Sequence, residues 1–381
     1  MLFSHSKGES ILILDVQSSI VRGTLVYTGE DAKHLVLYTH TVKIPYKPHA
    51  RSSYLIKSAL KAIEETIDDV LTHLSVRANV QDIPKKISAV HYVLSTPWIV
   101  SQAKTLMSSF KDPIVVDKNY VMKLIAEDRN KLMTESGNDV RVIEEKVFDV
   151  RLNGYSVASW ESKQTRELEV AFVTSVAGGR MADRFIEICD RVVSKNNVYF
   201  HSSLFLQHTG LQKIMPNLPN YALIHVHGEL TDVAIVRTHS CIFFGSYPFG
   251  IHTIVRTLAR EAKIDEQTAD SLLDMSLEGS MDAKLAKKET AIIADMGDGW
   301  IGEFRKLLKS SPTSIVLPHH VVMSGHSHEN FFMKNFKQTY PQSLPQLLTL
   351  ENISPYVAFD THAEQQRLTG LYIVAIHSME N

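Results

Sequence analysis

The sequence predicts a two-lobed α/β protein built on an internal duplication. Three observations carry that reading. The first is a repeated strand–turn–strand segment, LILDVQSSIVRGTLVYT at 12–28 and LIHVHGELTDVAIVRT at 223–238. With Asp15 set over His225, Val16 meets Val226, Ile20 meets Leu230, Leu25 meets Ile235 and Val26 meets Val236. The turn Gln17-Ser18-Ser19 then meets His227-Gly228-Glu229. The second is the rhythm of the opening residues. Ile11–Leu14 is a continuous apolar run, as in a strand buried on both faces. Ile56, Leu60, Ile63, Ile67, Leu71 and Leu74 follow at helical spacing, and then comes a strand at 87–95. The third is size: 381 residues, 44% of them hydrophobic, suit two to three domains with real cores.

Taken in order, residues 1–96 form the first part of the first lobe. Residues 97–165 read as a small α+β insert. Asp117 caps a helix carrying Val121, Leu124, Ile125 and Leu132, and Asn153-Gly154 turns a hairpin because both residues tolerate positive φ. Residues 166–215 return to the first lobe through a strand at 168–176 and a helix carrying Met181, Phe185, Ile188 and Val192. Residues 216–381 form the second lobe, with a small helical subdomain at about 260–312. Within it, SIVLPHHVVMSG reads as a pair of strands, and 371–376 is a last helix or strand.

Composition narrows the function. Lys and Arg number 40 against 42 Asp and Glu, a net charge of −2, which argues against a nucleic-acid binder. Two cysteines, Cys189 and Cys241, make no disulfide framework and point to a reducing, cytoplasmic setting; both read as packing residues. No apolar run has the length of a membrane span, and MLFSHSKGES lacks the apolar stretch of a signal peptide. Work at a membrane would then need a partner to hold the chain there.

The chemistry concentrates in the repeated turns. A tight turn between buried strands presents backbone N–H groups as an anion-binding nest, and an aspartate beside it, Asp15, suits Mg²⁺ bound through water. Two such turns facing each other would clamp phosphates between lobes.

On these residues the chain resembles the actin-like ATPase fold, and within it the FtsA and PilM group. The first phosphate loop of that fold, D-[IV]-G-[TS]-x-x-[VI], is similar to DVQSSIV at 15–21. The second, D-x-G-G-x-x-T-D, is similar to HVHGELTD at 225–232, and the adenosine loop is similar to MSGHSHEN at 323–330. The insert resembles the SHS2-type (1C-like) module of FtsA and PilM. The resemblance implies ATP and Mg²⁺ as cofactors. Asp15, Gln17, Ser18, Ser19, Gly228, Glu229, Thr231, Asp232, Ser324 and Gly325 would line the nucleotide site, with Asp15 toward the metal. It implies a scaffold or adaptor at the inner face of the cell membrane. A protein partner in cell division or type IV pilus assembly would bind through the insert and first lobe, and self-association is a further property of the group. The departures imply weak ATP binding and negligible hydrolysis. His225 stands for an acid, Gln17, His227 and His326 for glycines, and Asp270–Leu273 lacks the family's ribose-side lysine. Glu229 would set a negative charge against phosphate.

Three other patterns compete. Gly297-Asp298-Gly299-Trp300-Ile301-Gly302 fits G-x-G-x-x-G but lacks the acid that a dinucleotide site needs about 20 residues on, and reads as a loop between helices. His319, His320, His326 and His328 with Glu329 suggest a metal-dependent hydrolase as the alternative function, although no H-E-x-x-H spacing is present. No Ser-His-Asp order or G-x-S-x-G motif points to acyl transfer.

Overall fold

The computed structural model describes residues 8–29, 33–47, 51–77, 86–137, 139–278, 280, 287–311, 314–325, 328–361 and 363–380. The first-lobe sheet places Val357–Phe359, His34–Lys43, Ile20–Thr28, Glu9–Val16, Ile87–Leu94 and Val198–Ser202 side by side in that order. The second-lobe sheet runs Ser240–Tyr247, Thr231–Arg237, Tyr221–Val226, His320–Gly325 and Leu344–Leu347. Without the added edge strand Val357–Phe359, the two sheets share one plan. Three antiparallel strands are followed by two parallel ones. The duplicated hairpins close identically, Gln17 N to Ile20 O and His227 N to Leu230 O, both at 3.0 Å. Register makes Asp15 oppose Arg22 and His225 oppose Asp232 at equivalent places.

Strand alternation decides what covers each face of the opening strand. Leu12, Leu14 and Val16 pack with Ile63, Ile67 and Val70 of the helix Ser52–Arg77. Ile11 and Ile13 point the other way and are covered by Leu368, Tyr372 and Ile373 of the helix Arg367–Glu380. The last residues therefore belong to the first lobe. The boundary 216–381 for the second lobe is corrected at its end, because the second face of the first sheet needs an apolar cover. The run at 371–376 is helical for the same reason.

The insert is a four-stranded sheet of Ile99–Val116, Lys163–Gly178, Val140–Leu152 and Tyr155–Ser156, with the helix Lys118–Ser136 on one face. Asp117 caps that helix by accepting from Tyr120 N at 2.7 Å, and Asn153 and Gly154 turn with φ of 50° and 83°. Lys163–Gly178 pairs with both long strands of this sheet, so the strand expected to return to the first lobe belongs to the insert. Its inward residues Leu168, Val170 and Phe172 serve the insert's own core. On the opposite face Ala103 and Phe148 join Leu204, Leu211, Tyr221 and Phe244, which ties the insert to the second lobe.

Two further expectations change. Gly297–Gly302 lies inside the helix Lys287–Lys309, where Gly297 lets Asn335 approach and Trp300 is fully buried. That core is aromatic-rich, and the stretch needs no loop. In SIVLPHHVVMSG only His320–Gly325 is a strand, because only its apolar residues find a parallel partner beside Tyr221–Val226. His326 lies outside the described residues.

Gly210, on the helix Ser203–Ile214, lets the helix Arg367–Glu380 pack closely against it. A Cβ there would lie 2.6 Å from Leu371 Cδ1 and 2.8 Å from its backbone oxygen. Gly210→Ala is expected to cost about 1–3 kcal/mol by overpacking, read as a lower urea midpoint at unchanged slope.

Candidate functional site

The two hairpin turns meet. Ser18 Oγ lies 3.0 Å from His227 Nδ1 and accepts from Glu229 N at 3.1 Å. A Cβ added to Gly228 would collide with the Ser19 hydroxyl, so only glycine lets the turns approach this far. On the far side of His227, Nε2 reaches Asp232 Oδ2 at 3.1 Å, and Thr96 N donates to the same oxygen at 3.3 Å. The first lobe thus grips the His227–Asp232 pair through Ser18 on one side and Thr96 on the other. At the edge of the cleft Arg256 of the second lobe stacks over Tyr46 of the first, 3.8 Å from the ring centre.

Asp15, Gln17, Ser18, Ser19, Gly228, Glu229 and Asp232 are brought together here. Asp15 accepts from Gln17 Nε2 at 2.8 Å and stands 3.8 Å from Arg22 Nη1. Burial pushes its carboxyl up to about 6, against the pull of Arg22, Gln17 and His227. Gln17 O accepts from Trp98 Nε1 at 2.8 Å, so the turn is fixed from behind. Asp232 is equally buried, yet His227, His225 and the Thr96 N–H outweigh desolvation and hold it below the usual carboxylate range. Burial, aided by His227, drives His225 down to about 3, so it is neutral.

Ser324 is connected through His225: His225 Nδ1 lies 3.1 Å from Ser324 Oγ, which donates to Gln207 Oε1 at 2.6 Å. Gln207 Nε2 continues to Ser203 Oγ at 3.1 Å, and Ser203 to Tyr372 OH at 2.8 Å. A buried polar chain therefore runs from the cleft to the helix Arg367–Glu380. Gly325 sits against Val226 O. Thr231 lies on the opposite face of its strand. It donates to Phe249 O at 2.6 Å and accepts from Trp300 Nε1 at 3.0 Å, inside the second-lobe core.

Two expectations about charge are revised. Glu229 does not stand unpaired against the cleft. Arg256 grips both its oxygens, at 2.9 and 2.6 Å, and His252 lies 3.2 Å away. These partners overcome burial and bring its carboxyl down to about 2. Among the described residues, His319, His320 and His328 do not converge on a metal site. His319 meets Gln342 O, and His328 lies between Asp274 at 3.0 Å and Asp270 at 3.5 Å. Among the described residues no group of three or more His, Cys, Asp or Glu is placed to hold a metal. Nothing here favours the metal-dependent hydrolase.

No family model matches the sequence, and no curated protein does. Solved structures match over nearly the whole chain. A PilM–PilN type IV pilus biogenesis complex superposes with a TM-score of 0.63 at 10% identity, covering 97% of this chain and 99% of that one. A Bacteroides thetaiotaomicron protein of unknown function with an actin-like ATPase fold gives 0.41 at 8% identity, over 98% of each chain. Apo ParM of pSK41 gives 0.42 at 7%, over 97% and 98%. The fold is actin-like. The likeness to the PilM–PilN complex, at 10% identity, shows the fold alone.

Arg22, Thr96, Trp98, Gln207, Tyr46 and Arg256 were not anticipated from the sequence. Only Arg22 had a signal, since strand pairing across a two-residue turn sets it opposite Asp15.

Buried histidines make stability depend on pH. Burial lowers His91 to about 4 and His201, His208 and His225 to about 3. Burial raises Asp15 to about 6 and Glu144 to about 8. Between about pH 4.5 and 6 the unfolded chain holds about four histidine protons that the folded chain lacks. The folded chain holds about two carboxyl protons that the unfolded chain lacks, so stability rises with pH by about two protons' worth. The four unfolded histidines still hold about two protons at pH 6.5, so the balance reverses only near pH 7, above which Glu144 dominates and stability falls toward pH 8. Urea midpoints are expected to peak near pH 7, and Glu144→Gln should remove the alkaline decline.

Proposed function

We propose that this protein is an actin-like adaptor whose cleft is latched by its own side chains and which recruits a protein partner through its insert and first lobe. The contact of Ser18 with His227 and Glu229 carries the reading. A phosphoryl group bound by both turns would need two hydrogen-bond lengths between them, each about 3 Å, where one now suffices. The His227 ring takes the place a phosphate would fill. Mg²⁺ fits no better in this arrangement, because Asp15 is buried beside the Arg22 cation. Nucleotide binding must therefore part the lobes first, which weakens it and leaves hydrolysis negligible.

A PilM-like role is favoured over a division role by the likeness to a PilM–PilN pilus complex along nearly the full length of both chains. No helix among the described residues is long and apolar enough to cross a membrane, which fits attachment to the inner face through a partner. The docking site we favour is a groove of about 510 Å³ where the insert meets the helices Ser203–Ile214 and Arg367–Glu380, closed on its far side by Thr238, His239 and Ser240 of the second lobe. Val147, Phe148, Phe205 and Met379 line it with Lys146 and Gln212. Val147 is on the strand Val140–Leu152, whose neighbour Tyr155–Ser156 pairs only with Arg151 and Leu152. The remaining edge suits an extended peptide that adds as a strand.

Mg-ATP titrated into the purified chain by calorimetry is expected to show millimolar binding or none. His227→Gly should tighten it by about tenfold, equivalent to about 1.4 kcal/mol of latch removed. Low-micromolar binding by the unmodified chain would contradict the latched cleft. Separately, Val147→Glu should release a fluorescently tagged chain from the cell membrane without lowering its melting temperature. Unchanged membrane localisation would rule out the groove.

A further inference from the structure

The first-lobe sheet ends, away from the hairpin turns, at a cavity of about 600 Å³, within the size range of small-molecule sites. Glu9 and Thr28 pair there as the last rung of the opening hairpin. The strand Glu9–Val16 sets the cavity roughly 23 Å from the touching turns, at about 3.3 Å per residue. Ile11 and Ala89 of the sheet, with Ile373 and Ile376 of the helix Arg367–Glu380, give it an apolar wall.

The polar part of the lining offers acceptors. The Thr28 hydroxyl donates to Glu9 O at 3.3 Å and the Ser88 hydroxyl to Ser10 O at 3.2 Å, so both oxygens keep only lone pairs for a ligand. Asn197 commits its amide nitrogen to Ser88 O at 2.9 Å, and its side-chain oxygen adds an acceptor. His34 is 7% exposed, and its Nδ1 has no hydrogen-bond partner among the described residues. Burial, with His377 beside it, holds the His34 ring below its ordinary pKa, so it is neutral at pH 7 and keeps one acceptor nitrogen. Glu9 is the only acid in the lining, and no lysine or arginine joins it. An anion would meet a carboxylate and lone pairs with no cation to offset them. A primary ammonium brings three N–H donors and the charge opposite to Glu9.

We propose that this cavity is a binding site for a small primary amine with a compact apolar body. The ammonium group lies toward Glu9, His34 and the spent hydroxyls, and the hydrocarbon lies on the wall of Ile11, Ala89, Ile373 and Ile376. The site shares no lining residue with the partner groove and lies at the other end of the sheet from the cleft, so it goes beyond the adaptor role and neither requires nor excludes it.

The test is calorimetry at pH 7 on the full-length chain with three probes of one shape: cyclohexylmethylamine, cyclohexylmethanol and cyclohexanecarboxylate. The amine is expected to bind with a Kd below about 1 mM, the alcohol about tenfold more weakly, and the acid not measurably. Glu9→Gln should weaken the amine about fivefold, as befits a solvent-facing charge. Ala89→Phe fills the cavity and should abolish amine binding, with circular dichroism and melting temperature confirming the fold. A Kd above about 10 mM for the amine overturns the proposal, as does an acid that binds as tightly as the amine. Unchanged amine affinity in Glu9→Gln or in folded Ala89→Phe overturns it too. None of these results touches the nucleotide and localisation readouts of the adaptor role, so the two ideas fail separately.

Discussion

The arrangement of this molecule depends on a hydrogen bond between Ser18 of one lobe and His227 of the other, made where two duplicated hairpin turns touch. The contact is polar on both sides, and its partners Asp232 and Asp15 are buried acids. Such groups are expensive to leave unpaired, so the network is worth more as a closed set than as separate bonds. His227 answers Ser18 on one nitrogen and Asp232 on the other, Thr96 completes Asp232, and Trp98 pins Gln17 behind the turn. The apolar seam around Leu204, Leu211 and Tyr221 joins the same two lobes without direction. The polar latch supplies the direction and fixes how the turns face each other.

The histidines explain why an actin-like scaffold and an occupied cleft coexist. A glycine at position 227 would leave backbone and space. An imidazole there supplies volume, one donor and one acceptor, which is what a closed interface between a serine and an aspartate needs. His225, held neutral by burial, does the same for Ser324 and passes the connection inward to Gln207, Ser203 and Tyr372. Glu229, which reads in isolation as a charge against phosphate, instead belongs to Arg256 and His252.

The duplication was legible because strand pairing is local. The match of Asp15 with His225, and of the two turns, follows from alternation and turn length and survives intact in the register. The insert's helix cap and Asn153-Gly154 turn were legible for the same reason. The return of Val357–Phe359 and Arg367–Glu380 to the first lobe was not, because an apolar helix does not state which sheet face it covers. The strand Lys163–Gly178 was misplaced for a similar reason: its alternation fits either sheet, and only pairing distinguishes them. The line of Ser18, His227 and Asp232 was hidden because its members come from segments 209 residues apart, so no local spacing shows it.

A double-mutant cycle on Ser18 and His227 tests the latch most directly. Ser18→Ala, His227→Phe and the double variant would be unfolded in urea at pH 7 and compared with the parent chain. A latch across the lobes predicts a coupling energy of about 1 kcal/mol or more, since both single changes break one buried bond and the second then loses nothing further. Additive effects, with coupling near zero, would contradict it and would mean that the lobes are held by the apolar seam alone.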